Sequence, residues 1–150
     1  KISNNVKIYG QIEQDNLLAR QVTIREGGFK LPLNQWPNSF SDVGLSNEYA
    51  LGINLSTDLP INMPVYLPIQ FYFDVGYYAP LKDSDLDPLI YSGGIQLNFG
   101  EGIFQVFFPF INSSDIRDGF DDIGGNYFRR VTFSFDLNKL DPTRVRNSLI

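Results

Sequence analysis

The sequence predicts an all-β fold, an antiparallel sheet curled into a barrel or part of one. Three observations carry this. Apolar residues recur with a period of two in five separate stretches, the spacing that puts alternate side chains on opposite faces of a strand. Helical periodicity is poor throughout. Runs of apolar residues are also far too short for the roughly 20-residue span of a membrane helix. A length of 150 residues fits one domain.

The elements follow in chain order. Two weak strands are expected over residues 6–13 and 18–26. Residues 28–44 hold Pro32, Asn34, Pro37 and Asn38 and read as a linker or long loop. In residues 49–56, Tyr49, Leu51, Ile53 and Leu55 alternate with Ala50, Gly52, Asn54 and Ser56. Residues 57–64 form a connection that is not short. In residues 68–78, Ile69, Phe71, Phe73, Val75 and Tyr77 alternate with Gln70, Tyr72, Asp74, Gly76 and Tyr78. Residues 80–89 are a long polar loop. A strand over residues 91–99 sets Ile95, Leu97 and Phe99 against Gln96 and Asn98. Gly100-Glu101-Gly102 then makes a tight turn, because glycine reaches positive φ without steric cost. Phe104, Val106, Phe108 and Phe110 form the next apolar row, with Phe107 interrupting the polar side. Residues 111–125 are a second long polar loop. Val131, Phe133, Phe135 and Leu137 alternate with Thr132, Ser134 and Asp136 in the last strand.

Which face meets which solvent follows from the composition of the two rows. The apolar row is large and aromatic. The other carries Gly, Asn, Ser, Thr and Gln more than Lys and Glu, as a narrow barrel interior does and a solvated surface rarely does. An outer-membrane β-barrel is therefore expected, with Phe71, Phe73, Val75, Leu97, Val131, Phe133 and Phe135 facing lipid. Gln70, Asp74, Gln96, Asn98, Thr132 and Ser134 are expected to face inward. Ten residues at about 3.3 Å span about 33 Å, and a tilt near 40° brings this to about 25 Å, the height of an outer-membrane apolar band. Tyrosines 49, 66, 72, 77, 78, 91 and 127, several near strand ends or loop junctions, suit the membrane interface. The alternative is a soluble β-sandwich, extracellular or periplasmic, whose alternating strands bury the apolar side and whose exposed aromatics bind carbohydrate or protein.

Antiparallel pairing around the Gly100–Gly102 turn predicts both long loops on one side and that turn on the other. The strand count is about seven, whereas single-chain bacterial barrels use an even number from eight upward. The sheet is thus expected to need further strands, from the same gene product or another subunit.

Composition excludes several chemistries. The chain has no His and no Cys, which removes the zinc sites, cysteine nucleophiles, disulfides and Ser-His-Asp triads that depend on them. A net charge of -5 argues against nucleic acid as a partner. The opening KISNNVKIYG has neither Met nor an apolar run, so no signal peptide is read, and the abrupt start suggests a fragment or a processed product.

Several segments bear a family resemblance: GGFKLPLNQW, EYALGINLSTDLPINMPVYLPIQFYFDVG, GGIQLNFGEGIFQVFFPF and the ending FRRVTFSFDLNKLDP. The stretch from Gly27 onward resembles the C-terminal membrane β-region of the membrane-associated gluzincin aminopeptidases of the Bacteroidetes kind. The resemblance implies a zinc peptidase domain with an HExxH helix upstream of a β-rich membrane region. Without histidine, this chain carries none of those zinc ligands. The implied arrangement is a single β-barrel-like domain over residues 1–150, the C-terminal part of a larger protein, in the outer membrane of a Gram-negative bacterium. Any peptidase activity would lie upstream, and this chain itself is expected to be no enzyme. Ile150 lacks the terminal aromatic common in autonomous barrels, a departure that fits the peptidase-like ending.

The remaining candidates are acidic. Asp83, Asp85 and Asp87 form a DxDxD run, and Asp115, Asp118, Asp121 and Asp122 crowd the second long loop. Hard cations take carboxylate oxygens, so Asp83, Asp85, Asp87, Asp118 and Asp121 are a weak calcium candidate; the EF-hand pattern fails because Pro88 stands where glycine is required. Solvated acidic loops are the simpler reading, and no cofactor is otherwise expected. Asp74 and Asp136 are conceivable as an acid pair, but a barrel interior gives each a structural role beside water or a Lys/Arg partner. Arg129 and Arg130 precede the last strand and suit snorkelling, pairing with the acidic loops, or lipid headgroups. The expected function is to anchor or scaffold an upstream domain or partner subunit in the membrane.

Overall fold

The computed structural model describes residues 2–3, 15–16, 28–31, 42–59, 68–100, 102–122, 124 and 126–136. Within them the chain is an antiparallel sheet curled into a half-barrel, with one short helix. The strands are β1 (Ile2–Ser3), β2 (Asp15–Asn16), β3 (Leu45–Ser46), β4 (Ala50–Asp58), β5 (Ile69–Tyr78), β6 (Leu89–Phe99), β7 (Phe104–Asn112) and β8 (Thr132–Phe135). The main sheet has the order β1-β4-β5-β6-β7-β8, and β2 pairs β3 separately. Each strand from β5 to β8 lies beside its predecessor, so β4 to β8 form a simple meander.

Register follows the alternation in the sequence. Phe71 stands opposite Ile95, Ile69 opposite Leu97, Leu97 opposite Val106, and Val106 opposite Phe133. The polar row matches likewise, with Asn54 opposite Asp74, Asp74 opposite Ser92, and Gln70 opposite Gln96. A one-residue slip would exchange the two rows across every ladder, so the pattern itself fixes the pairing.

The ladder is broken once, by a bulge between β6 and β7 at Gly93 and Gly94. A Cβ at Gly94 would lie 1.9 Å from the carbonyl oxygen of Phe108. Only glycine lets the two backbones approach so closely. Beyond the bulge Phe110 and Ile111 both stay exposed. The β6–β7 turn is built on Gly100 and Gly102, at φ of 61° and 93°.

The second long connection, read in the sequence as a long polar loop, is partly regular. It holds helix α1 (Ser114–Asp122). The Ser113 carbonyl accepts from the Arg117 amide at 2.9 Å, and Asp115 sits in the first turn, where the helix dipole favours negative charge. Ile116 and Phe120, four residues apart, are buried with Gly119, while Arg117, Asp118, Asp121 and Asp122 remain outside. This one-sided burial is what an isolated amphipathic turn gains by docking.

Phe29, Leu31, Val43, Ala50, Tyr78, Ile90, Ile116 and Phe120 form the apolar core, with Leu86 packed on it. This cluster fills the concave side at the long-loop end. The last strand begins at Thr132 rather than Val131, because a 3-10 turn over Tyr127–Arg130 runs directly into it with Val131 as its C-cap. The strands expected over residues 6–13 and 18–26 lie outside the described residues, except that Asp15–Asn16 between them pairs with β3. Of the expected loop over 28–44, residues 28–31 lie buried against the sheet.

Candidate functional site

The two faces of the curled sheet differ: the convex one exposes mainly apolar side chains, and the concave one buries polar side chains beside the apolar core. On the convex face Phe71, Phe133 and Phe135 are 46%, 75% and 50% exposed, beside exposed Leu51, Ile53, Leu55 and Tyr77. Phe73, Val75, Leu97 and Val131 belong to the same rows and are half-buried. Phe73 stacks on Tyr91, Phe99 on Phe104, and Tyr49 on Tyr77, with ring centroids about 6 Å apart. Opposite Phe73 stands Gly93, where an added Cβ would meet the Phe73 ring at 2.5 Å. The ring covers a backbone that has no side chain of its own.

On the concave face the polar residues are enclosed. Asp74 is 0% exposed, and Ser92, Gln96 and Asn54 are buried with it. Near the turn end an amide relay crosses three strands. Gln70 Nε2 donates to Asp58 Oδ1 at 2.6 Å, and Gln96 Nε2 and Asn98 Nδ2 donate to Gln70 Oε1 at 2.6 and 3.2 Å. Farther along, the Ser92 hydroxyl donates to Asn112 Oδ1 at 2.9 Å. Apart from the Asp58 carboxylate at its end these are neutral amides and hydroxyls, and pairing lowers the cost of burying them, although Asn98 Oδ1 is left without a partner.

Asp74 is the centre of a denser network. The Lys30 ammonium pairs with Asp74 Oδ1, and the Lys30 amide donates to Oδ2 at 3.2 Å. Asn54 Nδ2 donates to Asp74 Oδ1 at 2.7 Å and to the Gly28 carbonyl at 3.2 Å. The ammonium also stands over the rings of Tyr72 and Phe107, 5.3 and 5.8 Å from their centroids. Thr132 Oγ1 donates to the Lys30 carbonyl at 2.9 Å. Phe107, which breaks the polar row in the sequence, is thus one wall of a cation site. A buried carboxylate held by this many donors ties the segment around Lys30 to β4 and β5. Asp136 is not brought to it. Its amide donates to the Ile103 carbonyl at the turn end, whereas Asp74 lies level with Ser92 and Asn112, at the other end of β7.

The two long loops meet at the end opposite the Gly100–Gly102 turn. The Asp87 amide donates to Asp115 Oδ2 at 3.0 Å, and the Ser114 hydroxyl donates to Asp87 Oδ2 at 3.1 Å. Burial pushes the Asp115 carboxyl above the usual carboxylate range; the Asp87 amide opposes this, and the charges of Asp87 and Asp118 add to it. Asp83, Asp85, Asp87, Asp118 and Asp121 are all exposed. Asp121 accepts from Arg130 at 3.2 Å, and Asp118 lies 3.9 Å from Arg117. Among the described residues no group of three or more His, Cys, Asp or Glu side chains gathers as a metal site requires. Arg130 spreads over the Phe120 ring at 5.0 Å, so this arginine fastens the 3-10 turn to α1.

Tyrosines divide differently from the sequence expectation. Tyr49, Tyr77 and Tyr91 lie on the convex side, and Tyr127 stacks on Phe110 at 5.6 Å. Tyr72 and Tyr78 instead occupy the even, inward row of β5 and are buried. Strand parity, not nearness to a strand end, decides which way each ring points. Tyr66 lies outside the described residues. Lys30 and Asn54 were not legible as site residues. The one available signal was that an inward aspartate requires a cationic partner, and spacing alone does not select it. Among the described residues no helix is long and apolar enough to cross a membrane, which says nothing of strands. No family model, curated protein or solved structure matches this chain.

Proposed function

We propose that this chain is a wall segment of an outer-membrane β-barrel, serving to anchor an upstream domain or a partner subunit. The observation that carries the reading is the contrast between the two faces: the convex face presents phenylalanine and aliphatic side chains, and the concave face encloses Asp74, Ser92 and Gln96. A sheet in water puts its apolar face on a core and its polar face outside. A sheet in lipid does the reverse. Strand length agrees, since β5 and β6 have 10 and 11 residues against the roughly 9–11 of a tilted membrane strand. Aromatic side chains gather toward the ends of the convex face. Tyr49, Tyr77 and the Phe110–Tyr127 stack stand toward the loops, and Phe99, Phe104 and Phe135 toward the turn. Such bands suit the two interfaces of a bilayer.

The proposed location is the outer membrane of a Gram-negative bacterium, and the first partner is lipid. Further strands complete the wall, from other residues of the same gene product or from another subunit. In support, β1 and β8 are the two edges of the main sheet and no ladder joins them among the described residues. An unpaired edge in hydrocarbon costs several kcal/mol for each backbone group. Cell fractionation tests the reading. The chain should pellet with outer membranes, resist a urea wash and require detergent for extraction. Recovery as a monodisperse protein in detergent-free buffer would favour a soluble β-sandwich instead.

A further inference from the structure

The concave face of a barrel wall is the wall of its lumen, and here that space is not left open. Residues 28–31 are all buried there, although the sequence reads them as part of a loop. Four strands hold them. Asn54 on β4 donates to the Gly28 carbonyl, Asp74 on β5 binds both the amide and the ammonium of Lys30, Phe107 on β7 covers that ammonium, and Thr132 on β8 donates to the Lys30 carbonyl. Phe29 and Leu31, on either side of Lys30, are 0% and 1% exposed and join Ile116 and Phe120 of α1 in the core. The segment therefore runs across the concavity from one side of the sheet to the other, pinned by charge in the middle and by apolar packing on both flanks.

We infer that residues 28–31 are a built-in plug, that the Lys30–Asp74 pair is its latch, and that the barrel is closed to solutes. The inference rests on the barrel-wall reading and narrows it: the wall anchors and does not conduct. Several features suit a latch better than general filling. The pair joins residues 44 apart in sequence, so it ties the plug to the wall rather than stiffening one strand. Its charges are enclosed where water cannot replace the partner. The rings of Tyr72 and Phe107 then give the cation a second set of contacts that a passing solute ion would have to displace.

The complete barrel, this chain together with the strands that close its sheet, reconstituted in phospholipid vesicles and planar bilayers, tests this. Wild-type protein that floats with vesicles after a urea wash should give no current steps. Lys30→Asp, which sets two carboxylates together, should open them, and the exchanged pair Lys30→Asp with Asp74→Lys should close them again. Because the chain has no cysteine, Ser92→Cys on the wall provides an independent reading. It should be protected from a small charged thiol reagent in the wild-type background and lose that protection with Lys30→Asp. If Lys30→Asp does not insert, Asp74→Asn, which keeps the shape and the acceptor, replaces it in both measurements with the same expected direction. A steady current through inserted wild-type protein would overturn the plug and leave the wall standing, as would latch variants that insert yet stay silent and protected. Wild-type protein that fails to float would overturn the wall, and the plug with it.

Discussion

Phe73 and Asp74 are neighbours in the chain and opposites in the fold. The Phe73 ring lies on the convex face over the backbone of Gly93, while the Asp74 carboxylate is wholly enclosed on the concave side. Covering the convex face is favourable, since burying a phenylalanine is worth about 1.5–3 kcal/mol, while the cost of enclosing the carboxylate is offset by its Lys30 and Asn54 partners. Under the proposed barrel-wall reading the convex face meets lipid, which covers the Phe73 ring.

A charge on that face should therefore be expensive. Phe73→Arg is expected to destabilise the membrane-inserted chain by about 2–4 kcal/mol, the range for arginine near a bilayer midplane. Phe73→Leu should cost much less. Urea titration in vesicles measures both, and an arginine variant as stable as the leucine one would contradict lipid contact at this position.

The Lys30–Asp74 pair should behave as a unit. Asp74→Ala leaves a buried ammonium unpaired and is expected to cost about 3–5 kcal/mol, while Lys30→Met combined with Asp74→Leu should cost clearly less than the two single changes added together. A double-mutant cycle by denaturant titration reads the coupling. Strict additivity would mean that the two side chains are stabilised separately.

Gly94→Ala should strain the bulge. The new methyl would meet the Phe108 carbonyl oxygen at 1.9 Å and its carbon at 2.8 Å, and both are backbone atoms that cannot rotate aside. A loss at the upper end of the about 1–3 kcal/mol typical of overpacking is expected, with disturbed pairing of β6 and β7. A change within about 0.5 kcal/mol, the scale of an ordinary surface substitution, would show that the strands can separate there without cost.

The loop end should lose stability as pH rises through the acidic range. Burial raises the folded Asp115 carboxyl above its unfolded value, so the folded state holds this proton more tightly. The stability linked to it is fully present below the unfolded value near 3.8 and is lost as pH rises through the raised folded one. Asp115→Asn keeps an oxygen to accept the Asp87 amide and removes the charge, so it should flatten this dependence and slow exchange of the Asp87 amide at neutral pH. Faster exchange in the variant would reverse the sign and contradict the assignment.

The strands were legible in the sequence because each apolar row is nearly pure. Leu51, Ile53 and Leu55 or Phe71, Phe73 and Val75 leave no doubt about parity, and parity fixes register. Helix α1 was hidden because three buried residues among nine are outweighed by its acidic surface. The Lys30–Asp74 contact was hidden for another reason. It spans 44 residues and joins a loop to a strand, so no local period marks it. Tyr72 and Tyr78 fall in the even row of β5 by parity, and parity prevails over the suitability of tyrosine for a membrane interface.

Site-directed fluorescence quenching in vesicles addresses the orientation of the sheet most directly. The absence of native cysteine allows one probe at a time, at Phe71→Cys or Phe133→Cys on the convex face and at Gln96→Cys or Ser134→Cys on the concave one. Probes on Phe71 and Phe133 should be quenched by lipids carrying the quencher on their acyl chains, and probes on Gln96 and Ser134 should not. Quenching at Gln96 and Ser134 with none at Phe71 and Phe133, or no lipid quenching at any of the four, would contradict a chain that turns its phenylalanines to the bilayer.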